Sequence, residues 1–318
     1  MKSFFAFLIS SLGLLFVMTA GQTPASAGEL SEILHFSLLP KALQKNPRLE
    51  LTAICEMTDD GRKLPIVTKD RPTYYVLSSN GNRQAGENYA HEKVMPQAGV
   101  ARLLEKALAA NGFLPAAPGK LPTVVIYYTW GSHNTLEEND YENPVHTDTE
   151  IARNLLDRAY LVGGAKLVRE LRQVIQETED ISLMTTPALA TGGEQPMQPA
   201  AYALINPLNR FRMHGAKNEF MISQCGNNVY YVVASAYDLA SIASKKRVLL
   251  WRTQMTVGSN GLSQSQSFPA LVASAAPFFG RDMTDPEIIV RHVVDDGQVT
   301  VGHAVVVPDA TGATPTKK

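Results

Sequence analysis

Two neighbouring runs constrain this chain more than any other part of it. Val229–Tyr237 (Val-Tyr-Tyr-Val-Val-Ala-Ser-Ala-Tyr) and Arg247–Val257 (Arg-Val-Leu-Leu-Trp-Arg-Thr-Gln-Met-Thr-Val) are separated only by Asp238–Lys246. Both are dense in β-branched and aromatic residues, which suit a pleated surface, so both predict strands. The first is apolar at odd and even positions, the pattern of a strand covered on both faces. The second sorts Leu249, Trp251, Met255 and Val257 to one side and Arg252 and Gln254 to the other. That alternation predicts a half-solvated strand. Thr123–Trp130 repeats the doubly apolar pattern, so the sheet needs a covering layer on each side.

Helical stripes supply such layers. Val100, Leu103, Leu104, Ala107 and Leu108 recur at helical spacing, and Asn111-Gly112 then stops the helix. Phe268, Leu271, Val272 and Ala275 form a second stripe, with Ser267 as N-cap and Pro269 in the first turn. Thr147-Asp-Thr-Glu150 matches a capping box. It opens a helical pattern through Ala152, Leu155, Leu156 and Ala159 that resumes at Leu167 and Leu171 beyond Gly163-Gly164. This predicts two helices, or one with a glycine kink.

Shorter signals fill in the rest. Leu49–Glu56 alternates as an amphipathic strand with Cys55 on its apolar side. Asp59-Asp60-Gly61 reads as a turn, with Leu64–Val67 returning as an edge strand. Thr73–Ser78 and Glu219–Gln224 read as short strands, and Ser79–Glu92 and Thr185–Ala200 as loops. Ile288–Val294 and Val299–Val307 flank Asp295-Asp296-Gly297, a hairpin signal. The resulting expectation is an α+β fold. A mixed, mostly antiparallel sheet carries helices Val100–Asn111 and Phe268–Ala276 on one face. A helical insertion at 134–217 covers the other face or an end.

The N-terminus has the layout of a secretory signal peptide over residues 1–27. Lys2 is followed by the apolar run Phe4–Met18 and by Ala25-Ser26-Ala27 as a cleavage site. The run is shorter than the about 20 apolar residues a membrane span needs. Residues 28–307 then form a single domain, with 308–318 as a disordered tail. The chain has 29 Lys+Arg against 30 Asp+Glu. No concentrated positive charge favours nucleic acid or an anionic membrane as partner. Cys55 and Cys225 are the two cysteines. In an oxidising compartment they are candidates for a disulfide; the alternative is two separate buried thiols.

Chemistry-bearing residues concentrate at His133–Asp148, with Glu137, Glu138, Asp140, Glu142, Asp148 and His146. These are metal-ligand types, but no H-E-x-x-H, close Cys pair or EF-hand spacing is present, and no metal or cofactor is expected. Gly131-Ser132-His133 ends a strand, yet adjacent residues of an extended chain point to opposite sides. His133 is therefore poorly placed to serve Ser132 as a base. The aromatic residues on strands suggest a binding surface at a sheet end that would gather Trp130, His133, Tyr237 and Asp238.

Ala107-Leu-Ala-Ala-Asn-Gly-Phe113, Val124-Val-Ile-Tyr-Tyr128 and Val248-Leu-Leu-Trp251 give the chain a further resemblance. It resembles uncharacterised exported bacterial envelope proteins and, more distantly, small α/β domains of envelope lipoproteins. The resemblance covers about half of the chain beyond residue 27, and the lipobox Cys of the lipoproteins is absent. It brings no catalytic residues. The expected function is a non-catalytic binding or assembly component of the periplasm or secreted fraction, with an envelope protein or glycan as partner. The alternative is an exported hydrolase or metal-dependent enzyme using the 132–148 loop.

Overall fold

Val229–Tyr237 lies where its doubly apolar pattern requires, in the middle of a seven-stranded sheet. The structure, a computed structural model, describes residues 47–88, 93–136, 146–189, 215–259 and 261–292. All of them fall in one unit spanning residues 45–318. The strands are β1 (Arg48–Met57), β2 (Thr73–Ala85), β3 (Phe113–Pro115), β4 (Val124–His133), β5 (Val229–Asp238), β6 (Leu249–Gly258) and β7 (Glu287–His292). Their lateral order is β3-β2-β4-β5-β6-β1-β7. β2 pairs in parallel with β3 and β4, and the other pairs are antiparallel. The helices are α1 (Asp59–Arg62), α2 (Gln97–Ala110), α3 (Asp148–Leu189), α4 (Ala216–Cys225), α5 (Leu239–Ala243) and α6 (Gln264–Ala275). The fold is α+β, with a mixed and mostly antiparallel sheet.

Strand alternation deals the side chains to two faces. On one, Leu51 and Cys55 of β1, Ile126 and Trp130 of β4, Val232 of β5 and Met255 of β6 belong to the main core. α2 adds Val100, Leu104 and Leu108 to it, and α6 adds Phe268, Leu271 and Val272. On the other face, α3 and α4 share a smaller cluster of Ala159, Val162, Leu167, Leu171, Met221, Ile222 and Cys225. α3 also packs on β1 and β6. The helical insertion thus covers the face that α2 and α6 leave open. Among the described residues no helix is long and apolar enough to cross a membrane.

The capping box holds: Thr147 N–H donates to Glu150 Oε2 at 2.8 Å, and Glu150 N–H to Thr147 Oγ1 at 3.2 Å. α3 breaks at Gly164, whose φ of 69° and ψ of −164° are left-handed. A Cβ there would sit 2.8 Å from Glu56 Oε1. That oxygen instead accepts from Ala165 N–H at 2.8 Å, satisfying a donor at the start of the second helical segment.

Several local expectations are overridden. β2 runs to Ala85, through the stretch whose Asn and Gly content predicts a loop. Its parallel ladder with β4 extends from Tyr75↔Val124 to Ala85↔His133, and a bulge between Ser79 and Asn82 absorbs Asn80-Gly81. Asp59–Arg62 winds into α1 beneath a Thr58 cap, and Leu64–Val67 is not a strand. Glu219–Gln224 is helical, within α4. α6 begins four residues earlier than its stripe, because Ser263 and Gln266 form the capping box; Ser267 is buried inside the helix and Pro269 is internal. α3 continues to Leu189, into the expected loop. β7 covers most of the predicted strand Ile288–Val294, pairing with β1. The Asp295-Asp296-Gly297 hairpin signal, Val299–Val307, residues 1–27 and residues 308–318 lie outside the described residues.

The two thiols correct the disulfide expectation. Cys55 and Cys225 are both free and buried. Cys55 belongs to the core beneath α2 and α6 and Cys225 to the cluster of α3 and α4, so the sheet stands between them. They are two separate buried thiols.

Candidate ligand-binding cleft

The four residues expected to share a sheet end do not meet. β4 and β5 are antiparallel, with Val124 opposite Asp238 and His133 opposite Val229. The C-terminal ends of the two strands therefore lie at opposite ends of the sheet. At ~3.3 Å per residue, Trp130 and His133 are roughly 15–30 Å from Tyr237 and Asp238. Trp130 is in the main core, stacked on Tyr128 at 5.7 Å, with its Nε1–H donating to Met95 O at 3.1 Å. His133 is buried on the opposite face. Burial, and then the nearby Arg158 cation, hold its imidazole below its ordinary value. Asp238 caps α5, accepting from Ser241 N–H at 2.7 Å.

The 132–148 loop does not assemble a site among its described residues. Ser132 is fully buried, on the face opposite His133. His146 Nε2 meets Glu87 Oε1 at 2.8 Å. Glu137, Glu138, Asp140 and Glu142 lie outside the described residues. Among the described residues no group of three or more His, Cys, Asp or Glu is placed to hold a metal ion.

Tyr237 belongs to a different arrangement, a cleft of about 270 Å³ between the sheet and α3. The register builds it: Tyr127 of β4 lies opposite Ser235 of β5, which lies opposite Arg252 of β6. One step along, Thr129, Val233 and Gln254 form a second row across the same strands. β2 adds Asn80 from its bulge and Arg83 from the ladder just beyond it, the β5–β6 connection adds Arg247, and α3 contributes Tyr160 and Leu161 from above.

Three features set its chemistry. Arg252 is held in place, its Nε donating to Ser235 Oγ at 3.0 Å and Nη1 to Tyr160 Oη at 2.7 Å. Both acceptors are neutral, so the guanidinium charge is oriented without being cancelled. Arg83 and Arg247 add two more cations, and no Asp or Glu is among the described lining residues. At the floor Gln254 is fully buried, with neither Oε1 nor Nε2 hydrogen-bonded. A buried amide left unpaired costs about 1–3 kcal/mol, and such groups call for an explanation. A group entering the cleft would supply the missing partners. Tyr127 and Tyr237, edge to face at 5.7 Å, form a wall.

A second hollow of about 450 Å³ lies at the other face, lined by Met57, Leu64, Ile66, Phe113, Leu250 and Trp251. Its rim charges are already engaged in part: Arg62 pairs with Asp282 at 2.8 Å and Asp238 caps α5.

Of the four residues expected to form a site, Tyr237 alone lines this cleft, beside Arg83, Tyr160, Arg252 and Gln254, none of them singled out for binding from the sequence. One signal for them existed. Arg252 and Gln254 share a face of a strand beside one that is covered on both sides. Polar residues there face a layer, not bulk water. No family model matches the chain, and no curated protein gives a significant match.

Proposed function

We propose that the protein is an exported, non-catalytic binding component of the cell envelope that takes a small anionic ligand in the arginine-lined cleft. The observation that carries this reading is three arginines on one hollow whose described lining contains no acid. Concave sites with a few convergent polar groups are where ligands bind, and guanidinium groups favour carboxylate and phosphate partners. The described lining also holds no His, Cys, Asp, Glu or Lys. Export rests on the signal-like layout of residues 1–27.

Two measurements test the reading. Inorganic sulfate and phosphate should raise the melting temperature of the wild type relative to chloride at equal ionic strength. Sulfate and phosphate also stabilise folded chains generally, so Arg252→Met combined with Arg83→Ala should reduce that rise, and an equal rise in the double variant would remove the cleft as the site. Expressed in a Gram-negative host, the full chain should appear in the osmotic-shock fraction with a mass beginning at Gly28. Retention of the full-length mass in the cytoplasm would remove the export component.

A further inference from the structure

We infer that the ligand of this cleft is an acidic sugar, a single hydroxylated ring bearing a carboxylate. The inference rests on the anion-binding reading above and adds the chemical class of the ligand.

Size comes first. About 270 Å³ is below the range of about 300–1,000 Å³ typical of drug-sized pockets. It suits one ring better than a chain. The floor then discriminates between kinds of anion. The Gln254 amide offers a carbonyl acceptor and an NH₂ donor, and both are unpaired. Sulfate, or a phosphate without protons, only accepts hydrogen bonds; it would serve Nε2 and leave Oε1 buried and unmet. Hydroxyls donate as well as accept, and two neighbouring hydroxyls satisfy both ends of the amide.

The spacing is suitable for one ring. Arg252 and Gln254 lie two residues apart on one face of β6, so their backbone origins are separated by roughly 6.5 Å. A carboxylate on Arg252 and hydroxyls on Gln254 would thus come from opposite sides of a single pyranose ring. Arg252 is oriented for this role: its Nε and Nη1 bond Ser235 and Tyr160, and the Tyr237 side chain also hydrogen-bonds the guanidinium, so a carboxylate would share a cation held only by neutral groups. Tyr127 and Tyr237 give the C–H surface of such a ring an aromatic wall.

The test is isothermal titration calorimetry of the full folded chain with D-glucuronate, D-glucose and inorganic sulfate at constant ionic strength. Glucuronate should bind about tenfold or more tightly than either of the others, since each lacks one set of contacts. Gln254→Leu, an apolar replacement of similar size, should reduce the glucuronate-to-sulfate affinity ratio by about tenfold. Tyr237→Leu, on the cleft wall, tests the same ratio if Gln254→Leu does not fold. Sulfate binding as tightly as glucuronate, with a ratio insensitive to these variants, would overturn the sugar assignment and leave the anion site standing. Glucose matching glucuronate, or no binding of sulfate and glucuronate alike, would overturn the anion site as well.

Discussion

Cys225 is completely buried, and burial pushes its thiol up to about 12; burial likewise pushes Cys55 up to about 11. The thiolate is the reactive form, so neither cysteine is primed for exchange even in an oxidising compartment. An aromatic disulfide reagent should label no thiol in the native protein at neutral pH and two after denaturation. Prompt labelling of the native chain would contradict the placement of the thiols. His133 gives a prediction of a different kind. Its folded-state value is depressed from the ordinary 6.5 by burial and then by Arg158. On acidification the unfolded chain takes up this proton first. The contribution of His133 is therefore intact above about 6.5 and declines as the pH falls through that value. Urea unfolding across this range should show stability decreasing toward acid, and His133→Asn should flatten the slope. An unchanged slope in the variant would assign the effect elsewhere. Strand alternation in the sequence correctly gives Cys55 an apolar environment. It could not place Cys225, because Glu219–Gln224 reads as a strand and folds as part of α4.

At the scale of the element, the kink in α3 is the most exposed to test. Gly164 has a left-handed φ of 69°, and a Cβ would meet Glu56 and Ile54 at 2.8–3.0 Å. Gly164→Ala should therefore destabilise by about 1–3 kcal/mol. Glu56→Ala removes the acceptor of Ala165 N–H and should cost about 1 kcal/mol. Because the two residues touch, the double variant should lose less than the sum of the single losses. Denaturant midpoints for the three proteins decide this, and strict additivity would show that the contact does not couple them. The kink was legible in Gly163-Gly164, as were the stripes of α2 and α6. The second half of β2 was not. Its polar residues are held as a strand by Trp130–His133 of β4, nearly fifty residues further on, and local composition carries no trace of that ladder. The cleft was illegible for the same reason. Its walls come from four strands and a helix, and the one local cue, Arg252 and Gln254 on a shared face, reads equally as contact with solvent.

For the whole molecule, the two layers on the sheet are unequal. The α2 and α6 layer seals an extended core, whereas α3 and α4 bury a small cluster and depend on polar contacts to hold their place. Arg158 is central among these. It is buried, with Nε donating to Cys225 O at 2.5 Å, and Nη1 donating to Asn134 O at 2.9 Å and to Asn154 Oδ1. One side chain of α3 thereby joins α4 to the chain just beyond β4. No carboxylate pairs with it among the described residues, and burial lowers its guanidinium to about 10. The contacts are therefore hydrogen bonds from a desolvated cation to neutral oxygens, of which Asn134 O also accepts from Asn154 Nδ2 at 3.1 Å. Arg158→Leu removes the charge but strands those oxygens, and should cost on the order of 3 kcal/mol. That loss should fall unevenly. Native-state hydrogen exchange should accelerate in α3 and α4 while β4 and β5 keep their protection, the pattern of a sub-global opening. The same opening carries Tyr160 away from Arg252, so anion affinity should fall although no residue of the cleft has changed. Uniform acceleration across sheet and helices would instead mean that the layers unfold as one, and a cleft indifferent to Arg158→Leu would mean that α3 does not form its roof.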